Sequence, residues 1–151
     1  MSSTLKKRFL STPSNWPDIV LSSNSVRAVD KGNINNPLQV GESVDEIFGF
    51  PPLLPLKIRW ICVVNNEETG NIEFYSSEGL ENIASNCRMK FFCTTCKSAN
   101  GKQECRVDFE MEFMPLNPLA LISLPLLQAD NNLAIKVFLQ SSVLKNKFDI
   151  N

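Results

Sequence analysis

The side chains available for chemistry are thiols and carboxylates, because the chain contains no histidine. Its 151 residues include five cysteines, 16 Asp plus Glu and 15 Lys plus Arg. Without imidazole there is no Ser–His or Cys–His nucleophile pair, no histidine ligand for a metal and no histidine pH switch. Six glycines occur, and none builds a phosphate-cradling loop. Carboxylate-only or thiol catalysis survives formally, but no pair of acids stands out from a solvated strand face. The expectation is a protein that is not an enzyme.

Four of the five cysteines fall between Cys87 and Cys105. Cys93-Thr94-Thr95-Cys96 is a CxxC, and its neighbours invite a structural zinc reading. Six residues of extended strand separate Cys87 from Cys93 by about 20 Å, so those two cannot share a metal. The workable set is Cys93, Cys96 and Cys105 near a hairpin tip, with Cys62 from a neighbouring strand as the fourth ligand. The competing reading makes Cys62, Cys87, Cys93 and Cys105 small buried hydrophobes, and their alternating positions favour it. A redox CxxC needs a helix N-terminus beside it to lower a thiol pKa. This one leads into a loop. No cofactor is expected, with structural zinc as the alternative.

The cysteines are carried by the best-defined local structure in the chain. From Cys105 to Phe113, Cys, Val, Phe, Met and Phe alternate with Arg106, Asp108, Glu110 and Glu112. That is the period of a one-sided strand. Cys87, Met89, Phe91 and Cys93 alternate with Arg88, Lys90, Phe92 and Thr94 on the partner. Centring the loop on Asn100 sets Phe91 against Phe109, Met89 against Met111, Lys90 against Glu110 and Arg88 against Glu112. A slip of one residue puts Lys90 on Met111 and Arg88 on Phe113. The first register satisfies both faces, each pair contributing roughly 0.2–1 kcal/mol.

The remaining elements follow from the same patterns. Residues 1–17 (MSSTLKKRFLSTPSNWP) read as a flexible N-terminal segment, and residues 18–151 as a single β-rich domain. Asp18–Val29 supplies one strand, and the Asn-rich stretch Asp30–Gly41 a loop. Val44, Ile47 and Phe48 have helical spacing. Phe50–Pro55 is a proline-stiffened linker. Leu56–Val64 is a strand that pairs with Ile72–Ser77, with Ile72 and Phe74 opposite Val64 and Cys62. A short helix fits Ser77–Asn86. Leu119–Leu127, with Pro125 inside, reads as an edge strand. Leu133–Gln140 reads as a strand, with a helix starting at Asn131 or Asn132 as the competing assignment. The fold class expected is mainly β: a small antiparallel β-barrel (OB-like) or a sandwich, with one or two short helices.

Composition limits the partners. The formal charge of −1, with 43% hydrophobic and 21% charged residues, fits a globular domain and not a duplex-wrapping protein. No run of about 18 apolar residues occurs, so no membrane span is expected. An odd number of cysteines with no secretory signal points to a reducing compartment. The basic, acid-free first 17 residues fit either a frayed terminus or a mitochondrial presequence. The candidate binding face for a partner or nucleic acid comprises Lys57, Arg59, Arg88, Lys90, Phe92 and Arg106, because single-strand binders stack bases on rings beside Lys and Arg. Acids on the same faces oppose that field, so a protein–protein contact fits at least as well.

The run FFCTTCKSANGKQECRVDFEMEF resembles one half of a zinc-ribbon insert leading into an OB-fold strand. Such inserts occur in the large subunit of replication protein A and in telomere end-protection proteins. The matching residues are Phe92, Cys93 and Cys96, then Arg106, Val107, Phe109 and Met111, within about 25 residues. The second CxxC half and the Asp-x-Thr-Gly turn are missing. The resemblance implies an OB-like barrel in a nuclear DNA-maintenance assembly, with Cys93 and Cys96 as metal ligands. The functional expectation is therefore a non-enzymatic β-barrel subunit acting by protein–protein interaction in a nuclear DNA-maintenance or telomere complex. The alternative is an OB-fold protein that binds single-stranded nucleic acid directly. Nuclear localisation follows from the resemblance, with cytoplasm and mitochondrion left open.

Overall fold

The computed structural model describes residues 3–29, 33–49, 55–66, 68–97, 101 and 103–138. Its centre is a six-stranded antiparallel sheet: β1 (Ser23–Ala28), β2 (Ser43–Phe48), β3 (Leu56–Asn66), β4 (Asn71–Ser76), β5 (Ala84–Lys97) and β6 (Gln103–Pro115). Each strand pairs with the next in chain order. Before the sheet come α1 (Ser3–Ser11), a 3-10 turn (Pro13–Asn15) and α2 (Trp16–Ile19). After it come α3 (Pro118–Leu133) and a π-helical turn (Ala134–Phe138). The mainly β expectation holds at this level. The closed barrel does not: β1 and β6 are the two edges of an open sheet, and helices cover its inner face.

The β5–β6 hairpin adopts the register its side chains dictate. Phe91 faces Phe109, Met89 faces Met111, Lys90 faces Glu110 and Arg88 faces Glu112. On the inner face, Phe74 joins Trp16 and Phe91 edge-on, and Phe91 meets Phe109 with ring centroids 5.1 Å apart. Phe74 also lies opposite Cys62 as expected, but Ile72 meets Asn65 rather than Val64. A bulge between Cys62 and Val64 shifts the register by one residue.

Other local expectations give way to tertiary context. Residues 3–11 and 13–19 are helical, with Leu10 and Trp16 buried. The carbonyls that end α1 are satisfied by side chains: Asn15 Nδ2 donates to Phe9 O and Trp16 Nε1 to Leu10 O. The stretch given helical spacing is β2, whose buried residues are Val44, Glu46 and Phe48. The inward glutamate disguised a period of two as one of 3.6. Ser77–Asn86 forms no helix: Gly79 turns at φ +68°, where a Cβ would lie 2.1 Å from Ala84 O. The apolar run expected to form an edge strand is α3, and Leu133 ends it. Being apolar throughout, that run carried no period to separate strand from helix. The 50–54 part of the proline linker and the tail from residue 139 lie outside the described residues.

Candidate functional site

Between the inner face of the sheet and α3 lie two adjoining hollows of about 30 Å³ each. They share Phe48, Trp60, Met111 and Asn131 as walls. The first is closed by Trp16 from α2, Phe91 from β5 and Ala134 from the π-helical turn. The walls are almost wholly apolar, and the space suffices for a water or two. Met89 and Met111 line it with unbranched, adaptable side chains.

One ionisable side chain lines this first hollow. Glu46 is only 3% exposed, because β2 alternation turns it inward beside Val44 and Phe48. Its two oxygens have different partners: Ser23 Oγ donates to Oε1 at 2.6 Å and Trp60 Nε1 to Oε2 at 2.8 Å. Burial pushes its pKa up to about 7, against those two hydrogen bonds, and the charge of Asp130 adds to the rise.

Asp130 belongs to α3 and is buried. Its carboxylate accepts from the backbone N–H groups of Leu21 and Ser22 and from Ser22 Oγ. This set fastens the C-terminal half of α3 to the α2–β1 turn. At the other end, Asn117 donates to Asn82 O and Leu116 N to Ile83 O. The described side chains of α3 include buried polar and exposed apolar residues. Asp130 and Asn131 face inward with Ala120, while Leu121, Ile122 and Leu126 are 60–69% exposed. Pro125 lies inside the helix and deprives the Leu121 carbonyl of its intrahelical donor.

The basic and aromatic residues singled out from the sequence lie on the opposite, outer face. Arg59 grips Asp45 with two hydrogen bonds, 2.7 and 2.9 Å, which hold the Asp45 carboxyl below its usual range. Arg88 pairs with Glu73 at 3.2 Å and lies over the Tyr75 ring. Lys90 reaches Glu112 at 2.8 Å and Glu110 at 3.6 Å. Arg106 pairs with Asp108. Lys57 is exposed, and Phe92 is half-buried opposite Asn71 and Asp108. Four of the five basic residues named on this face, Arg59, Arg88, Lys90 and Arg106, are each paired with an acid.

The cysteines do not converge. Cys93 and Cys96 are three apart on one strand and so point to opposite faces, the first buried and the second exposed. Cys93 and Cys105 share a thiol hydrogen bond on the inner face. Burial pushes the Cys93 thiol up to about 12 and Cys62 to about 11. Cys62 sits two strands away and level with Met89, four residues along β5 from Cys93, so the two are roughly 16 Å apart. Among the described residues no three Cys, Asp or Glu gather where a metal ion would be held.

No protein-family model and no curated protein sequence matches the chain. Solved structures do share its fold. A truncated norcoclaurine synthase from Thalictrum flavum is similar over 95% of this chain and 86% of that one, with a TM-score of 0.66 and 15% identity. Ara h 8.0201 is similar over 95% and 89%, with a TM-score of 0.60 and 14% identity. A major latex-like protein from Panax ginseng covers 85% and 86%, with a TM-score of 0.57 and 15% identity. These are Bet v 1-like proteins, and the likeness is one of fold.

That finding corrects the OB-fold resemblance and what was drawn from it. The structural neighbours are not replication protein A or telomere end-protection proteins. Neither a nuclear DNA-maintenance or telomere subunit nor a direct single-strand binder is supported. The physical reason lies in the hairpin. Its CxxC spans two faces of an unbroken strand, and Arg106, Val107, Phe109 and Met111 alternate as any half-buried strand would. Glu46, which lines the hollow, and Asp130, which anchors α3, were missed. An acid at the apolar parity of Val44 and Phe48 was the available signal.

Proposed function

We propose that this chain is a small-molecule-binding protein of the Bet v 1-like kind, without catalytic activity of its own. It holds an apolar ligand between the inner face of the sheet and α3. The observation that carries the reading is the apolar hollow beneath α3, walled by aromatic rings and provided with one buried carboxylate. Convergent polar groups in an apolar concavity are the usual design of a ligand site. The fold likeness supports it: a Thalictrum flavum norcoclaurine synthase with a TM-score of 0.64 and 16% identity has been solved with a transition state analogue.

The hollows hold too little space for such a ligand as they stand. Binding therefore requires α3 to move outward, and its construction suits that motion. It is pinned near its two ends and interrupted at Pro125, and among its described side chains those buried are Ala120, Asp130 and Asn131. Titration with the neutral fluorophore Nile red tests the reading. Trp16 and Trp60 are the two tryptophans of the chain, and both line the first hollow. Saturable, one-site energy transfer from them to the dye is the expected result. No saturable transfer while the protein stays folded would overturn it.

A further inference from the structure

We propose that the outer edge of β6 is a docking site for an extended peptide segment in which basic and apolar residues alternate. The segment would lie beside β6 as a further strand of the sheet. The proposal stands apart from the ligand-binding reading above.

β6 is a long edge. It runs for 13 residues, Gln103–Pro115, and pairs on one side with β5. Among the described residues no strand pairs with its other side. The backbone N–H and C=O groups along such an edge are a template for a further strand. Common guards against that pairing are a short edge, a bulge, a proline or a lysine. The opposite edge has the first two: β1 is six residues long, and its register with β2 shifts between Ser23 and Ser25. β6 has no lysine, and no proline before Pro115. On its inner face Val107, Phe109, Met111 and Phe113 are only half-buried. Met89 and Phe91 of β5, which has a strand on either side, are buried. An added strand would give the β6 row the same cover.

Charge decides the occupant. On its outer face β6 carries Glu104, Arg106, Asp108, Glu110 and Glu112. Arg106 is held by Asp108. Lys90 of β5 is shared between Glu110 at 3.6 Å and Glu112 at 2.8 Å, and these two acids remain 53% and 51% exposed. Glu104 is exposed as well. A second copy of β6, paired antiparallel about a two-fold axis, sets four acids and one arginine against the same five, so at most two facing pairs have opposite sign. Like charges directly opposed are destabilising. A strand with Lys or Arg at alternate positions meets opposite charge at Asp108, Glu110 and Glu112. Its apolar residues then fall beside Phe109, Met111 and Phe113.

Fluorescence anisotropy at low salt, with the full chain and a labelled peptide of about seven residues alternating lysine and valine, tests the proposal. Saturable binding with a Kd on the order of 10–100 µM is expected. The same residues arranged as a lysine block and a valine block should bind at least about tenfold more weakly, as should an alternating glutamate–valine peptide. Glu110→Lys combined with Glu112→Lys should exchange the preference between the lysine and glutamate peptides. Hydrogen exchange should slow within residues 103–115 when the lysine peptide binds and stay unchanged in β1. The wild-type peptide series and exchange measurement stand by themselves should the double variant fold poorly. Equal binding of the alternating and block peptides would reduce the effect to net charge and overturn the added strand. Protection confined to other elements would overturn it too, as would no binding. A chain that sediments as a dimer and takes up no peptide would assign the edge to a second copy and overturn the proposal.

Discussion

The β5–β6 hairpin and helix α3 face each other across the same hollow and are built on opposite rules. In the hairpin, Met89, Phe91 and Cys93 point inward, while Arg88, Lys90 and their partner acids point outward. Every local preference agrees with the tertiary structure, which is how a sequence specifies a rigid element. Among the described side chains of α3, Asp130 and Asn131 are inside while Leu121, Ile122 and Leu126 are outside. The buried acid anchors the helix, but the exposed apolar residues Leu121, Ile122 and Leu126 add nothing to fold stability. A part of a protein that departs from local consistency is where function is to be sought. In the ligand-binding reading proposed above, the hairpin is the fixed wall of the site and α3 the movable one.

The largest effect expected is on the fixed wall. Phe91→Ala removes a buried ring packed against Phe74 and Phe109, and should cost about 3–5 kcal/mol in urea unfolding. A loss below about 1 kcal/mol would mean that the hairpin is not the rigid half.

Next comes the pH dependence set by Glu46. Its folded pKa, about 7, lies above its ordinary 4.5. The folded state therefore holds the proton more tightly. This stabilisation is fully present below about pH 4.5 and is lost as pH rises through about 7, on the order of 3 kcal/mol in total. Asp45 contributes in the opposite sense, with its stabilisation lost in acid as its carboxyl takes up a proton. Urea melts between about pH 5 and pH 8 isolate the first effect. Stability should fall across that range in the wild type and stay nearly level in Glu46→Gln.

Asp130→Ala should cost about 2 kcal/mol, because two buried N–H groups lose their acceptor. Its more telling consequence is local. Hydrogen exchange should quicken through residues 118–138 while β5 and β6 keep their protection. Equal loss in both regions would remove the distinction between wall and lid. The smallest effect belongs to the outer side of α3, where Leu126→Lys should change stability by no more than about 0.5 kcal/mol.

The same contrast explains what could be read from the sequence. The hairpin was legible to its register, because both its faces obey a period of two and a one-residue slip breaks both. Strand β2 was not, because Glu46 occupies an inward position and hides that period. Helix α3 was not, because Leu, Ile and Pro125 without polar alternation fit strand and helix alike. The hollow depends on α3 and so was out of reach, as was the bond between Asp130 and Ser22, 108 positions apart. Barrel closure was beyond the sequence for a related reason: pairing of successive strands is local, whereas closure depends on whether β1 meets β6. The cysteine pattern misled by spacing alone, since a CxxC on a continuous strand divides between two faces.

The most direct measurement is the Nile red titration run side by side on the wild type and Ala134→Phe. Ala134 is buried at the wall of the first hollow. A phenyl group there fills the space at a cost of about 1–3 kcal/mol, which thermal melting will register as a still-folded protein. One-site energy transfer from Trp16 and Trp60 in the wild type, weakened at least about tenfold in the variant, is the predicted result. Equal binding by both proteins would place the dye elsewhere and contradict a ligand site beneath α3.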